Sequence, residues 1–175
     1  MKQQNGLYQL FQKDFHQYYD PLCRYALTLL KEPHSCEDVV QETFLRVWEK
    51  RQDLVGTEVL RFYLYRAVRN NCLSFLEKKQ RTFLIHPAET NDFQPSFELR
   101  KERSDINLAI SLKEAIDQLP PRCREIFVLS RTGGLTYKEI ASTLSISVKT
   151  VENQMGKALK MLRSFVRQSQ NLVPG

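Results

Sequence analysis

Apolar side chains in this sequence recur every three or four positions over most of its length. No stretch alternates apolar with polar residues as a half-buried strand would. An all-α fold is therefore expected. Leu7, Leu10, Phe11, Phe15 and Tyr18 mark a first helix, expected to stop at Asp20-Pro21. Leu22, Tyr25, Ala26, Leu29 and Leu30 mark a second, ending near Pro33. Ser35 followed by Asp38 reads as an N-cap with its capping partner, and Val39, Val40, Thr43, Phe44, Val47 and Trp48 form the apolar stripe behind it. Residues 51–57 read as a loop. A long helix is expected from about Glu58 to Lys79, with Leu60, Leu64, Ala67, Val68, Cys72 and Phe75 on one side. Residues 6–79 should thus form one compact four-helix unit.

Residues 80–104 interrupt the period. His86-Pro87 and Gln94-Pro95 forbid a continuous helix, so this segment reads as a flexible linker. Fully extended it would reach roughly 80 Å, more than two turns of duplex DNA at ~34 Å each. Its Phe83, Leu84, Ile85, Phe93 and Phe97 suit a chain lying in a partner's groove. Helices resume over 105–170. Ile106, Ala109, Ile110, Leu112, Ile116 and Leu119 line one helix that ends at Leu-Pro-Pro. Pro121 suits the first turn of the next, and Gly133-Gly134 its C-terminal cap. The expected architecture is two small helical domains joined by a linker.

Composition narrows the function. Net charge is +6, from 26 Lys and Arg against 20 Asp and Glu, and residues 105–175 hold ten basic against six acidic side chains. A basic excess in the C-terminal part suits a polyanion partner, or simply a solvated surface. No apolar run approaches the ~20 residues needed to span a bilayer. The N-terminus mixes apolar with charged residues and is expected to carry no export signal, which would place the chain in the cytoplasm. Cys23, Cys36, Cys72 and Cys123 are scattered, as are His16, His34 and His86, so neither a metal site nor any other cofactor is expected. No nucleophile with its base and no phosphate-cradling glycine loop is present. An enzyme, or a site for a small-molecule substrate, has no residue to stand on.

The segment Leu135–Leu159, LTYKEIASTLSISVKTVENQMGKAL, reads as a helix-turn-helix. Thr136 and Glu139 form a T-x-x-E capping box; Ile140, Ala141 and Leu144 form the buried face of the first helix. Ile146 would plug the core, and Ser147 would N-cap the second helix. Ser145 stands where such turns often need a left-handed backbone, which would cost ~1–2 kcal/mol. On the second helix Val148, Val151, Met155, Ala158, Leu159 and Leu162 should point inward. Lys149, Thr150, Asn153, Gln154, Lys157 and Lys160 should point outward, and these are types that contact phosphates and base edges. With the capping residues Thr136 and Ser147, they make the expected duplex-contacting set. An ordinary αα corner with a solvated polar face would show the same outward residues.

Alone, residues 135–162 resemble two families, the DNA-binding domain of LuxR-type response regulators and the promoter-reading C-terminal domain of extracytoplasmic-function (ECF) sigma factors. AIDQLPPRCREIFVLSRTGGLTYKEIA resembles the sigma version. SCEDVVQETFLRVWEKRQDL resembles the sigma segment that docks on the clamp helices of RNA polymerase. YLYRAVRNNCLSFLEKKQR resembles the helix that reads and helps melt the minus-ten element. A response regulator would instead begin with an α/β receiver domain. The two-domain ECF class thus matches over roughly 6–79 and 105–165.

The resemblance implies a sigma domain 2-like unit over 1–79, a linker over 80–104 and a sigma domain 4-like unit over 105–170. It implies as partners core RNA polymerase, promoter DNA and an anti-sigma factor, which in this family is often membrane-anchored. It implies that Asp38, Gln41, Glu42 and Trp48 face the polymerase. For the minus-ten element the residue types nominate Arg61, Arg66, Arg69, Asn70, Lys78 and Lys79, with Tyr63 and Tyr65 as stacking groups and loop 51–57 as a pocket wall for an unstacked base. For the minus-thirty-five element the set is Thr136, Ser147, Lys149, Thr150, Asn153, Gln154 and Lys157. Ser74, Glu77, Gln154 and Lys157 depart from the commoner residues of the family. A duplex-binding regulator that never joins polymerase, and a purely structural helical interaction protein, are the readings from other classes.

Overall fold

The computed structural model describes residues 2–85 and 113–171, with side chains over 5–82 and 113–167. The linker over 86–104 and the helix start around Ile106, Ala109, Ile110 and Leu112 lie outside the described residues. Among those described there is no strand, and no helix is long and apolar enough to cross a membrane. The chain divides into two compact units, Met1–Pro95 and Ser96–Gly175.

The N-terminal unit contains three long helices, α1 (Lys2–Leu30), α2 (Pro33–Lys50) and α3 (Glu58–Ile85), with a short 3-10 turn at Gln52–Leu54. The expected break at Pro21 does not occur. One helix runs through the proline. An interior proline removes a hydrogen bond and costs ~3 kcal/mol. Leu22, Tyr25 and Ala26, all fully buried just beyond it, offset that at about 1.5–3 kcal/mol for a large apolar side chain. The four expected helices are therefore three. Lys31, at φ 60°, supplies the left-handed residue that ends α1.

The second boundary also shifts. Ser35 is not the N-cap of α2. The helix begins at Pro33, whose fixed φ and missing N–H suit the first helical position. Ser35 instead donates to the Glu32 carboxylate at 2.7 Å, which holds Glu32 below the usual carboxylate range, with Lys79 adding to the effect. Helix α3 continues past Lys79 to Ile85, since no proline intervenes before Pro87. The core joins Leu22, Tyr25 and Ala26 to Cys36, Val39, Val40, Phe44 and Val47 of α2, and to Leu60, Leu64, Tyr65, Val68 and Cys72 of α3.

The C-terminal unit comprises a helical turn at 113–117, then α4 (Pro121–Arg131), α5 (Tyr137–Leu144) and α6 (Val148–Asn171). Arg124 folds back to donate to the carbonyls of Ile116 at 3.2 Å, Leu119 at 3.1 Å and Asp117. It thereby caps the end of the preceding helix with a cation, where the helix dipole favours one. Gly133 donates to the Val128 carbonyl at 3.0 Å, and Gly134 takes φ 63° as α4 gives way to α5. Ala115, Leu119, Cys123, Ala158 and Leu162 form one buried cluster. Ile126, Leu129, Ile140, Leu144, Val151 and Met155 are buried too.

Candidate nucleic-acid interface

The helix pair α5–α6 is built by contacts only a few residues apart. The Thr136 hydroxyl accepts from the Glu139 N–H at 3.3 Å, and the Glu139 carboxylate accepts from the Thr136 N–H at 2.7 Å, a complete capping box. Ser145 takes φ 53° and ψ 48°, the left-handed conformation expected of it. Ile146 is half-buried, and its N–H reaches the Ala141 carbonyl at 3.0 Å. The Ser147 hydroxyl accepts from the Thr150 N–H at 3.0 Å and so caps α6.

Burial along α6 has a clear phase. Val151, Met155, Ala158 and Leu162 are buried; Lys149, Asn153, Gly156, Lys157 and Lys160 are exposed. At 100° per residue the exposed group stands opposite the buried one. Val148, expected to face inward, is 37% exposed at the first position of the helix. Lys149 pairs with Glu152 at 3.3 Å, with both ends in solvent. Gln154 departs from the outward group. It is half-buried on the flank, and its Oε1 accepts from the Cys123 thiol of α4 at 3.0 Å. The hydroxyls of Thr136, Ser147 and Thr150 are likewise engaged in the caps, the last two only 2.8 Å apart.

In the N-terminal unit the nominated residues divide. Asp38, Gln41 and Glu42 are exposed along one edge of α2. Glu42 accepts from Arg46 at 2.5 Å, and Gln41 donates to the Tyr19 hydroxyl at 3.3 Å. Trp48 is half-buried, its ring 4.9 Å from Phe11 and 6.1 Å from Tyr8, so much of it is spent on α1. Phe44 is core, 2% exposed.

On α3, Arg66, Asn70 and Lys78 are exposed and Arg69 is half-buried. Arg61 is half-buried beside Tyr18 and Glu58, where the three line a cavity of about 240 Å³. Tyr65 cannot stack on a base. It is 1% exposed, its ring lies 5.5 Å from Tyr25, and burial pushes its hydroxyl up to about 12. Sequence placed it outside the stripe, but the buried arc of α3 includes both Leu64 and its successor. Tyr63 remains half-buried with the Arg51 guanidinium 5.1 Å over its ring.

Loop 51–57 is tightly held. Arg51 clasps Asp53 through two bonds of 3.0 Å. Leu54 and Val55 are buried, and Gly56 takes φ 75°. The Gly56 N–H donates to the buried Asp14 carboxylate at 2.7 Å. Asp14 was not anticipated as part of the site. Its one sequence signal is an acid between Leu10 and Tyr18, on the helix face they share.

Two family models match the chain: Sigma-70 region 2 over residues 15–82 and Sigma-70 region 4 over residues 109–162. Among curated relatives, the ECF RNA polymerase sigma factor SigE of Mycolicibacterium smegmatis is 31% identical over 86% of this chain and 59% of its own length. RNA polymerase sigma factor SigV of Bacillus subtilis is 27% identical over 80% of this chain and 81% of its own. The chain thus spans less than two thirds of the first relative and most of the second. The fold resembles the sigma factor RpoE of Bartonella quintana, solved with the anti-sigma factor NepR, at TM-score 0.70 and 20% identity over 90% of this chain and 96% of that one. It also resembles CnrH, solved with the cytosolic domain of CnrY, at TM-score 0.57 and 22% identity over 90% of this chain and 88% of that one. The chain belongs to the ECF subfamily of the sigma-70 RNA polymerase sigma factors.

Proposed function

We propose that this protein binds core RNA polymerase and directs promoter-specific initiation. The observation that carries the reading is the pairing, in one chain, of a region 2 unit with a region 4 helix-turn-helix whose second helix turns its lysines to solvent. Domain 2, assigned to residues 1–79, docks through the exposed α2 edge of Asp38, Gln41 and Glu42, with Trp48 stiffening that edge from beneath. Arg66, Asn70, Arg69 and Lys78 engage the minus-ten strand, with Arg61 at the cavity beside Tyr18. Domain 4, assigned to 105–170, sets Lys149, Asn153 and Lys157 in the major groove at the minus-thirty-five element. Thr136, Ser147 and Thr150 act there through the helix starts they cap, where free N–H groups favour a phosphate. Gln154 offers its amide nitrogen. The segment 80–104 links the two domains. The protein is a non-catalytic factor working in the cytoplasm, and an anti-sigma factor restrains it, as the complexes of its structural relatives suggest.

In vitro transcription with core polymerase tests this. Initiation from specific promoters is expected. A duplex shift without initiation would favour the regulator reading, and no DNA binding at low salt would defeat both. Gln41→Ala with Glu42→Ala should weaken polymerase binding while leaving the fold intact. Lys149→Ala and Lys157→Ala should each lower the salt slope of upstream-element binding by about 0.9 per lost phosphate contact.

A further inference from the structure

Gly156 sits in the middle of α6, and nothing in the fold asks for a glycine there. A Cβ added at this position meets no atom within 4 Å, and its backbone needs no left-handed conformation. Glycine in a helix interior is also unfavourable relative to alanine, because it loses more backbone entropy on folding. The residue thus weakens its own helix without helping it pack.

Its position explains what the gap could serve. Lys149, Asn153, Gly156 and Lys160 follow the i, i+4, i+7, i+11 spacing of one helix face, and all four are exposed. They stand opposite the buried Val151, Met155, Ala158 and Leu162. Glu152, one turn before the glycine, is paired with Lys149. Gly156 is therefore a bare notch among polar side chains, on the face that the proposed function turns toward the major groove. The inference rests on that reading.

The notch has a definite chemistry. It offers only Cα hydrogens, since the backbone N–H and C=O of a mid-helix residue are spent in the helix ladder. A donor or acceptor of a base edge facing it would lose its water and gain no partner. One major-groove group needs no partner, the C5-methyl of thymine. We propose that Gly156 seats a thymine methyl of the upstream element and so determines specificity at that base pair.

The experiment uses holoenzyme reconstituted from the full chain and core polymerase. Upstream duplexes are selected from a randomised pool, and each thymine in the selected sequence is then replaced singly by deoxyuridine, which removes the methyl and keeps the pairing. One replacement should weaken binding about fourfold, the value of one buried methyl group. Gly156→Ala should weaken the thymine duplex at least as much, and that same deoxyuridine should then restore binding, because one methyl takes the place of the other. The variant should melt a few degrees higher than the parent. The inference is overturned if no thymine is selected, if every replacement is neutral, or if Gly156→Ala keeps both affinity and thymine sensitivity. A lower melting temperature also overturns it, since the fold would then require the glycine. A holoenzyme that selects no upstream sequence defeats the proposed function itself, and this inference with it.

Discussion

The two helices proposed to contact DNA, α3 and α6, differ in how they divide their surfaces. Over its described side chains, residues 148–167, helix α6 confines burial to one stripe, Val151, Met155, Ala158 and Leu162, and everything opposite is exposed. Helix α3 buries Leu60, Leu64, Tyr65, Val68 and Cys72, a broad arc that takes in consecutive residues. On a narrow stripe, residue type and phase predict which side chains are free. On a broad arc they do not, and a tyrosine that looks like a stacking group proves to be core. The two units differ in the same sense in what fixes them. Helices α5 and α6 are set by caps spanning three residues, from Thr136 to Glu139 and from Ser147 to Thr150. The N-terminal unit is tied by Asp14 to Gly56, Tyr19 to Gln41 and Thr43 to Asn71, bonds between residues far apart in sequence.

The largest test of this contrast removes a core side chain from each unit. Leu64 and Ile140 are both fully buried. Truncating either to alanine should cost its unit about 2–5 kcal/mol. Trp48 is the only tryptophan and lies in the N-terminal unit, so its fluorescence reports that unit alone. Leu64→Ala should lower the denaturant midpoint read by fluorescence. Ile140→Ala should lower a transition read by far-UV circular dichroism and leave the fluorescence midpoint in place. If both variants move the fluorescence midpoint equally, the units unfold as one and the contrast between them fails.

That division also explains what was legible in the sequence. The all-α class, the capping box and the strained turn at Ser145 are local and could be read directly. The break expected at Pro21 does not form because local preference is outweighed by Leu22, Tyr25 and Ala26, whose burial depends on helices that arrive later in the chain. Asp14 was missed for the same reason, its partner being the Gly56 N–H. Gln154 was assigned to the outward face on residue type, but Cys123 on another helix holds its amide oxygen. Residue spacing shows which side chains share a face. It does not show which of them a second element has already engaged.

Alkaline pH should act on the buried core of the N-terminal unit. Burial pushes the thiols of Cys36 and Cys72 up to about 12, and Tyr65 to the same level. An unfolded thiol titrates near 8.5 and an unfolded tyrosine near 10. In each case the folded state holds its proton to higher pH than the unfolded state. The stabilisation is therefore complete below about pH 8.5 and is lost as pH rises toward 12. The fluorescence-detected unfolding free energy should fall across that window. The two raised thiols also predict slow alkylation of Cys36 and Cys72 in the native protein at pH 8, since the reactive thiolate is suppressed. A flat stability profile between pH 8.5 and 11 would show that these side chains are more solvated than their burial implies.

The smallest effect gives the sharpest comparison, because it sets one residue type against itself. Thr43 and Thr143 are both buried, at 1% and 4% exposure. The Thr43 hydroxyl donates to the Val39 carbonyl at 2.8 Å and accepts from Asn71 Nδ2 at 3.0 Å, linking α2 to α3. The Thr143 hydroxyl has no partner among the described residues. Valine has nearly the shape of threonine, so replacement isolates the hydroxyl. Thr43→Val strands the Asn71 amide and should destabilise the N-terminal unit by about 1–3 kcal/mol. Thr143→Val removes a buried hydroxyl that gives nothing back, and should leave the C-terminal unit unchanged or up to about 1 kcal/mol more stable. Opposite signs for the same substitution would show that buried polar groups in the N-terminal unit carry its long-range ties. Equal losses would mean that Thr143 is satisfied after all, and that the C-terminal unit is no more locally determined than its counterpart.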